Sequence, residues 1–134
     1  MLYGKEHVDR YVETDGEEGY SWHNGSEILI LTTRGLKSGE LRSNALIFGR
    51  HGADYLVVGS KGGAPAPPAW YVNLVADPEV QVQVKGDRFV AHARTATPEE
   101  KPELWKTMTA AWPDYDQYQQ RTDREIPVVI LTRD

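Results

Sequence analysis

Two cationic, glycine-bearing stretches and one tyrosine pair are the parts of this chain best equipped for chemistry. The first stretch is Gly35-Leu36-Lys37-Ser38-Gly39, followed shortly by Arg42. The second is Ser60-Lys61-Gly62-Gly63. Glycine lets backbone amides come close to a ligand, and lysine and arginine add charge, so both stretches suit a phosphate or a carboxylate. An exposed hairpin turn is the alternative reading of the first. The chain carries 15 Lys and Arg against 20 Asp and Glu, a formal charge of −5. A local cationic patch on an acidic protein needs its own reason, and an anionic small molecule supplies one. Tyr115 and Tyr118 lie three apart in the polar segment Asp114–Gln119 and share a helix face. A phenol at a pocket rim can hydrogen-bond a carbonyl or nitro oxygen, and with an ordinary pKa near ~10 it can donate a proton. Packing of an exposed helix is the alternative reading of this pair.

Other chemistries find no support. The turn at Gly35 is not a nucleotide P-loop, because Leu36 separates glycine from lysine and the upstream glycine is missing. Ser60 does not stand in a Gly-x-Ser-x-Gly elbow, which argues against a covalent hydrolase. His7, His23, His51 and His92 lack metal-ligand spacing, so no metal site is expected. Cysteine is absent, which removes disulfides, thiolate nucleophiles and Cys-ligated metals. Net acidity argues against non-specific nucleic-acid binding. The short apolar runs predict no transmembrane helix, and from the polar, acidic start no signal peptide is expected.

The elements that must position these residues are legible from residue 27 onward. Ile28–Thr33 reads as a buried strand, Leu41–Phe48 as a second extended run and Tyr55–Val58 as a third strand. Their short connections predict an antiparallel meander. The Gly62–Pro68 stretch is loop, and Ala69–Ala76 is a helix ended by Asp77-Pro78. Val80–Val84 alternates with period two, and a Lys85–Arg88 turn leads into Phe89–Thr95. Thr97-Pro98-Glu99-Glu100 opens a helix through a capping box, with Leu104, Trp105, Met108, Ala111 and Trp112 as its stripe. Asp114 is placed to cap a short Tyr-rich helix, and Pro127–Leu131 is a last strand. Residues 1–26 form a separate N-terminal segment with a helical turn or two near His7–Tyr11 and no hydrophobic stripe. The expected fold is α+β: one domain over residues 27–134, a six-stranded antiparallel barrel with helices between strands and near the C-terminus.

Taken in order, several motifs resemble the deazaflavin-dependent nitroreductase and quinone reductase family of actinobacteria. They are Leu31–Gly39 with Arg42, Ser60–Pro65, Pro68-Ala69-Trp70-Tyr71-x-Asn73-Leu74, Val80–Gln83, Ala93–Glu100, Trp112-Pro113-x-Tyr115 and Arg121–Val128. The resemblance spans residues 27–131. It implies a split β-barrel of the FMN-binding type and non-covalent reduced coenzyme F420, whose phosphodiester and polyglutamate tail are anionic. By position, Lys37, Ser38, Arg42 and Lys61 are similar to the family's phosphate- and tail-binding residues. Asn44, Ser60, Trp70, Tyr71 and Asn73 resemble those along the ring and ribityl chain. Tyr115, Tyr118 and Trp112 fall where the family meets substrate, with Tyr115, Tyr118 and Ser60 as the catalytic candidates. Leu36 replaces the family's usual arginine, and Arg34 precedes the glycine instead.

The function so implied is hydride transfer from reduced F420 to a quinone, nitroaromatic or conjugated enone or lactone. An FMN enzyme of the same fold and a non-catalytic deazaflavin carrier are the alternatives. A cytoplasmic protein, at most peripheral to a membrane, is expected as monomer or homodimer, with a small-molecule acceptor and no nucleic acid.

Overall fold

The computed structural model describes residues 2–134. Its strands are β1 (Ile28–Arg34), β2 (Leu41–Ile47), β3 (Gly49–His51), β4 (Asp54–Val58), β5 (Glu79–Val84), β6 (Asp87–Thr95) and β7 (Val128–Arg133). The helices are α1 (Gly4–Thr14), α2 (Ala69–Ala76), α3 (Lys101–Ala111) and α4 (Tyr115–Gln120). All strands form one antiparallel sheet in the order β2-β1-β5-β6-β7-β4-β3. The two ends of that order, β2 and β3, are neighbours in the chain with only Phe48 between them. One bent ribbon therefore supplies both edges, and the sheet curls into a split barrel around it.

This refines two expectations. The sheet has seven strands rather than six, because the ribbon breaks at Phe48, whose ring is buried against Tyr20 and Tyr55. The meander is bent: the ribbon pairs through β2 with β1 and through β3 with β4, whose other neighbour is β7. Gly49, just past the bend, has no room for a side chain, since a Cβ there would sit 2.7 Å from Met108 Sδ on α3.

Alternation along the strands builds three cores. Leu29, Leu31, Val57, Val80, Val82, Val129 and Leu131 point into the barrel, where α2 inserts Trp70 and Leu74. Leu56, Val58, Val128 and Ile130 point outward beneath α3 and α4. Ile28 and Ile30 point outward beneath α1. β1, β4 and β7 are covered on both faces, which is why their sequences read as continuous apolar runs. The outer face of β5 exposes Glu79 and Gln81 and buries Gln83, so the strand reads as alternation.

The N-terminal segment is no appendage. His7, Val8 and Tyr11 form an apolar stripe on α1, against the expectation of none. Tyr11 is fully buried; its hydroxyl donates to Ile28 O at 2.9 Å and accepts from the Lys85 amide at 2.7 Å. The bonds of the capping box form, but they close a turn ahead of α3, which begins at Lys101 rather than Pro98. Thr97 N–H donates to Glu100 Oε1 at 2.8 Å and Glu100 N–H to Thr97 Oγ1 at 3.4 Å. Asp114 makes no side-chain cap to α4.

Candidate active site

A cavity of about 560 Å³ opens along the free edge of β2. The consecutive residues Asn44, Ala45, Leu46 and Ile47 line it, so the backbone of an edge strand forms one wall. Such an edge presents unpaired N–H and C=O groups able to pair with a polar ligand. Trp70 closes the barrel side, and Trp112, Tyr115 and Tyr118 close the side of α4. The volume is typical of a cofactor-sized site.

The floor is the loop Gly59–Ala64, whose backbone polarity is organised by arginines. Arg124 donates from Nε to Ala64 O at 2.8 Å, from Nη1 to Gly59 O at 3.1 Å and from Nη2 to Ser60 O at 2.7 Å. Arg121 reaches Gly62 O at 3.4 Å. Ser60 is right-handed (φ −78, ψ −40), while Lys61 (φ 46) and Gly62 (φ 64) are left-handed. A right-then-left succession gathers consecutive amide hydrogens into an anion-binding nest. Carbonyls held by arginines and amides gathered by the turn are the polarity an anion requires, and Lys61 adds a charge at the rim. A lysine in the left-handed region is uncommon and marks a functional loop. Gly63 is the contact point with α4, since a Cβ there would lie 2.5 Å from Tyr118 O.

The cationic hairpin adjoins this cavity without lining it. In the β1–β2 register Thr33 opposes Arg42 and Leu31 opposes Asn44, so Arg42 and Asn44 share one face of β2. They stand two residues, about 7 Å, apart along the strand. Arg42 is also 3.2 Å from Glu40. Lys37 and Ser38 are at the turn itself, with Ser38 Oγ accepting from Glu40 N–H at 3.1 Å. Arg34 does not replace the charge absent at Leu36. Its Nη1 donates to Gly39 O at 2.9 Å, and its Nε lies 3.8 Å from Asp77, so it ties the turn together.

Of the residues singled out from sequence, Asn44, Ser60, Lys61, Trp70, Trp112, Tyr115 and Tyr118 come together on one cavity. Tyr71 and Asn73 do not line it. The Tyr71 hydroxyl bonds Thr95 Oγ1 at 2.9 Å. Asn73 is buried, accepts the Leu36 amide at 3.2 Å and donates to Thr33 Oγ1 at 3.2 Å. Asn73 thus positions the cationic turn from α2 and lies off the ring pocket.

A family model described as F420H(2)-dependent quinone reductase matches residues 3–133. The chain belongs to that family. An F420H(2)-dependent quinone reductase of Mycobacterium tuberculosis is 39% identical over 126 residues, covering 92% of this chain and 85% of the relative. A solved structure titled F420-H2 dependent reductase is 41% identical with TM-score 0.72, covering 78% of this chain and 92% of the other. Another, described as a domain-swapped dimer, is 37% identical with TM-score 0.75 over 95% of both chains. This reductase is therefore an F420H2-dependent oxidoreductase, with a quinone as acceptor.

Several site residues of the reductase have no signature in the local sequence. His7 and Trp22 line the cavity from the N-terminal segment. Trp22 stacks near Trp112 with centroids 5.6 Å apart, and Trp112 Nε1 donates to the Tyr118 hydroxyl at 3.3 Å. An aromatic wall thus runs from α1 to α4. Arg124 was visible only as part of the closing motif. Among the described residues no buried side-chain polar atom is left sealed and unpartnered. Among the described residues the Tyr115 hydroxyl and Ser60 Oγ have no protein partner, so both keep an opening. Both residues are buried and both line the cavity. Desolvation in that pocket pushes the Tyr115 phenol above its ordinary range, so it stays protonated and acts as a hydrogen-bond donor. Among the described residues no helix is long and apolar enough to cross a membrane, and no cluster of metal ligands is present.

Proposed function

We propose that the reductase binds F420 along the β2 edge, with its phosphodiester on the Ser60–Gly62 nest and Lys61 and its anionic tail running towards Arg42 and Lys37. The observation that supports this reading is the convergence of nest, Lys61 and two unpartnered hydroxyls on one cavity walled by Trp70 and Trp112. When bound, reduced F420 supplies a hydride. The chain's own residues do the rest. The Asn44–Ile47 edge would hold the coenzyme through its backbone groups, and Trp112 gives the acceptor an apolar wall. Tyr115 and Ser60 donate hydrogen bonds to its oxygen where negative charge develops. Fixing donor and acceptor in one water-poor cavity is the main catalytic contribution, since orientation alone is worth several powers of ten. Nitroaromatics and conjugated enones or lactones present the same electron-poor, oxygen-tipped edge and extend the acceptor range. A homodimer accords with the dimeric neighbour.

Titration of the purified protein with oxidised F420, followed by tryptophan quenching, is expected to saturate, and F420H2 to be oxidised by menadione where NADPH is not. Protein that purifies with bound FMN and ignores F420 overturns the reading. Protein that binds F420H2 without oxidising it in the presence of menadione is a carrier.

A further inference from the structure

We infer that His7, on the N-terminal helix, donates the proton that completes reduction of the acceptor. The inference rests on the cavity being the reductase site proposed above. His7 is 3% exposed and lines that cavity together with Trp22, Ile28 and Ile47. Its Nε2 bonds Gly19 O at 2.7 Å. A carbonyl oxygen only accepts, so Nε2 carries a hydrogen and the neutral ring leaves its lone pair on Nδ1. A Cβ placed on Gly19 would sit 2.9 Å from His7 Cδ2 and 3.1 Å from Nε2, so that edge of the ring faces Gly19 and Nδ1 is the opposite vertex. Among the described residues Nδ1 has no hydrogen-bond partner, and no buried side-chain polar atom there is both sealed and unpartnered. Nδ1 therefore keeps an opening, and the space His7 lines is the cavity.

The chemistry needs such a group. Converting a quinone to its hydroquinone takes two electrons and two protons. A hydride delivers both electrons and one proton, leaving the hydroquinone one proton short, as an oxyanion. The Nδ1–H bond of imidazolium breaks as the O–H bond forms, and the ring returns to its neutral Nε2–H form and is recharged from water. The cavity phenols are poorer acids, with ordinary values near ~10, and serine is weaker still. Histidine is the side chain whose ordinary pKa lies near neutrality.

Few charges bear on the ring. Lys61 on the loop and the phenols Tyr115 and Tyr118 on α4 line the same cavity. Trp22 stands between His7 and His23, and the His23 Nε2 is bonded to the Tyr3 hydroxyl. Tyr11 lies one turn along α1 with its hydroxyl engaged. Glu18, beside the Gly19 anchor, is paired with Arg10. On the strands under α1, Arg42 pairs with Glu40 and Arg34 lies near Asp77, while Glu27, just before β1, accepts from Tyr20.

His7→Gln is the deciding variant, because glutamine can keep an N–H donor towards Gly19 O but has nothing to titrate. In the parent, kcat with menadione is expected to fall with one proton as pH rises, the signature of a single general acid. His7→Gln is expected to bind oxidised F420 as the parent does, to lose on the order of 100-fold in kcat and to lose that limb of the profile. A second readout needs no turnover. With nitrogen-labelled histidine and oxidised F420 present, menadione is expected to shift the His7 Nδ1 resonance and leave His51 and His92 unmoved. If His7→Gln melts early, this measurement on the parent decides alone. An unmoved Nδ1 resonance, or a His7→Gln enzyme with the parent's kcat and pH profile, overturns the inference while leaving the proposed function intact. A parent that neither binds F420 nor reduces menadione overturns the proposed function instead.

Discussion

Arg124 tests whether the floor of the site is organised by backbone polarity. It fans three nitrogens onto the carbonyls of Ala64, Gly59 and Ser60 at 2.8, 3.1 and 2.7 Å, fixing where those oxygens point. Partly exposed charge-assisted bonds are each worth about 1 kcal/mol, so losing all of them costs about 3 kcal/mol, or roughly 10 °C in melting temperature for a domain of this size. Arg124→Lys separates charge from geometry. A lysine ammonium keeps the positive charge, but as one compact donor on a flexible stem it cannot span carbonyls that the guanidinium reaches from separate nitrogens. The expectation is a loss of about 2 kcal/mol by thermal melting. F420 affinity should weaken roughly tenfold by tryptophan quenching, because freed carbonyls can turn towards the phosphate. An Arg124→Lys protein with the parent's melting temperature and affinity would show that only the charge matters, and the nest argument would fall.

Lys61→Ala is expected to weaken F420 binding by roughly 10- to 100-fold while moving the melting temperature little, since the side chain is exposed and contacts no carboxylate; equal affinity in a titration removes Lys61 from the site. Tyr11→Phe leaves the Lys85 amide without its partner and is expected to cost about 1–3 kcal/mol in urea unfolding, with F420 binding retained. Glu100 gives a pH dependence. The hydrogen bond from Arg94, then that from the Thr97 amide, holds its carboxyl below the ordinary range. Its contribution is present above the ordinary carboxylate pKa and is lost as pH falls through the lowered one. Glu100→Gln should therefore melt lower than the parent at neutral pH and converge with it in acid; a constant gap across that titration would exclude the linkage.

Local pattern made most of the secondary structure legible. Ile28–Leu31 and Val128–Leu131 read as strands because burial on both faces leaves an unbroken apolar run, and the Thr97–Glu100 box marked the turn that leads into α3 because capping is a contact between near neighbours. The chemical inventory was legible too, since lysine beside glycine and tyrosines three apart keep their chemistry wherever they sit. Strand partnership was not. Nothing within Leu41–His51 says that its halves pair with different strands, because that split is set by closure of the whole sheet around Phe48. Nor does composition reveal which way Tyr71 and Asn73 point from α2, a matter of which helix face the barrel buries. His7 and Trp22 carry no motif. They reach the cavity only because α1 lies across β1 and β2, more than a dozen residues further along the chain. Short-range sequence fixes backbone preference and chemical kind; direction and neighbourhood come from long-range packing, and the active site is made of those.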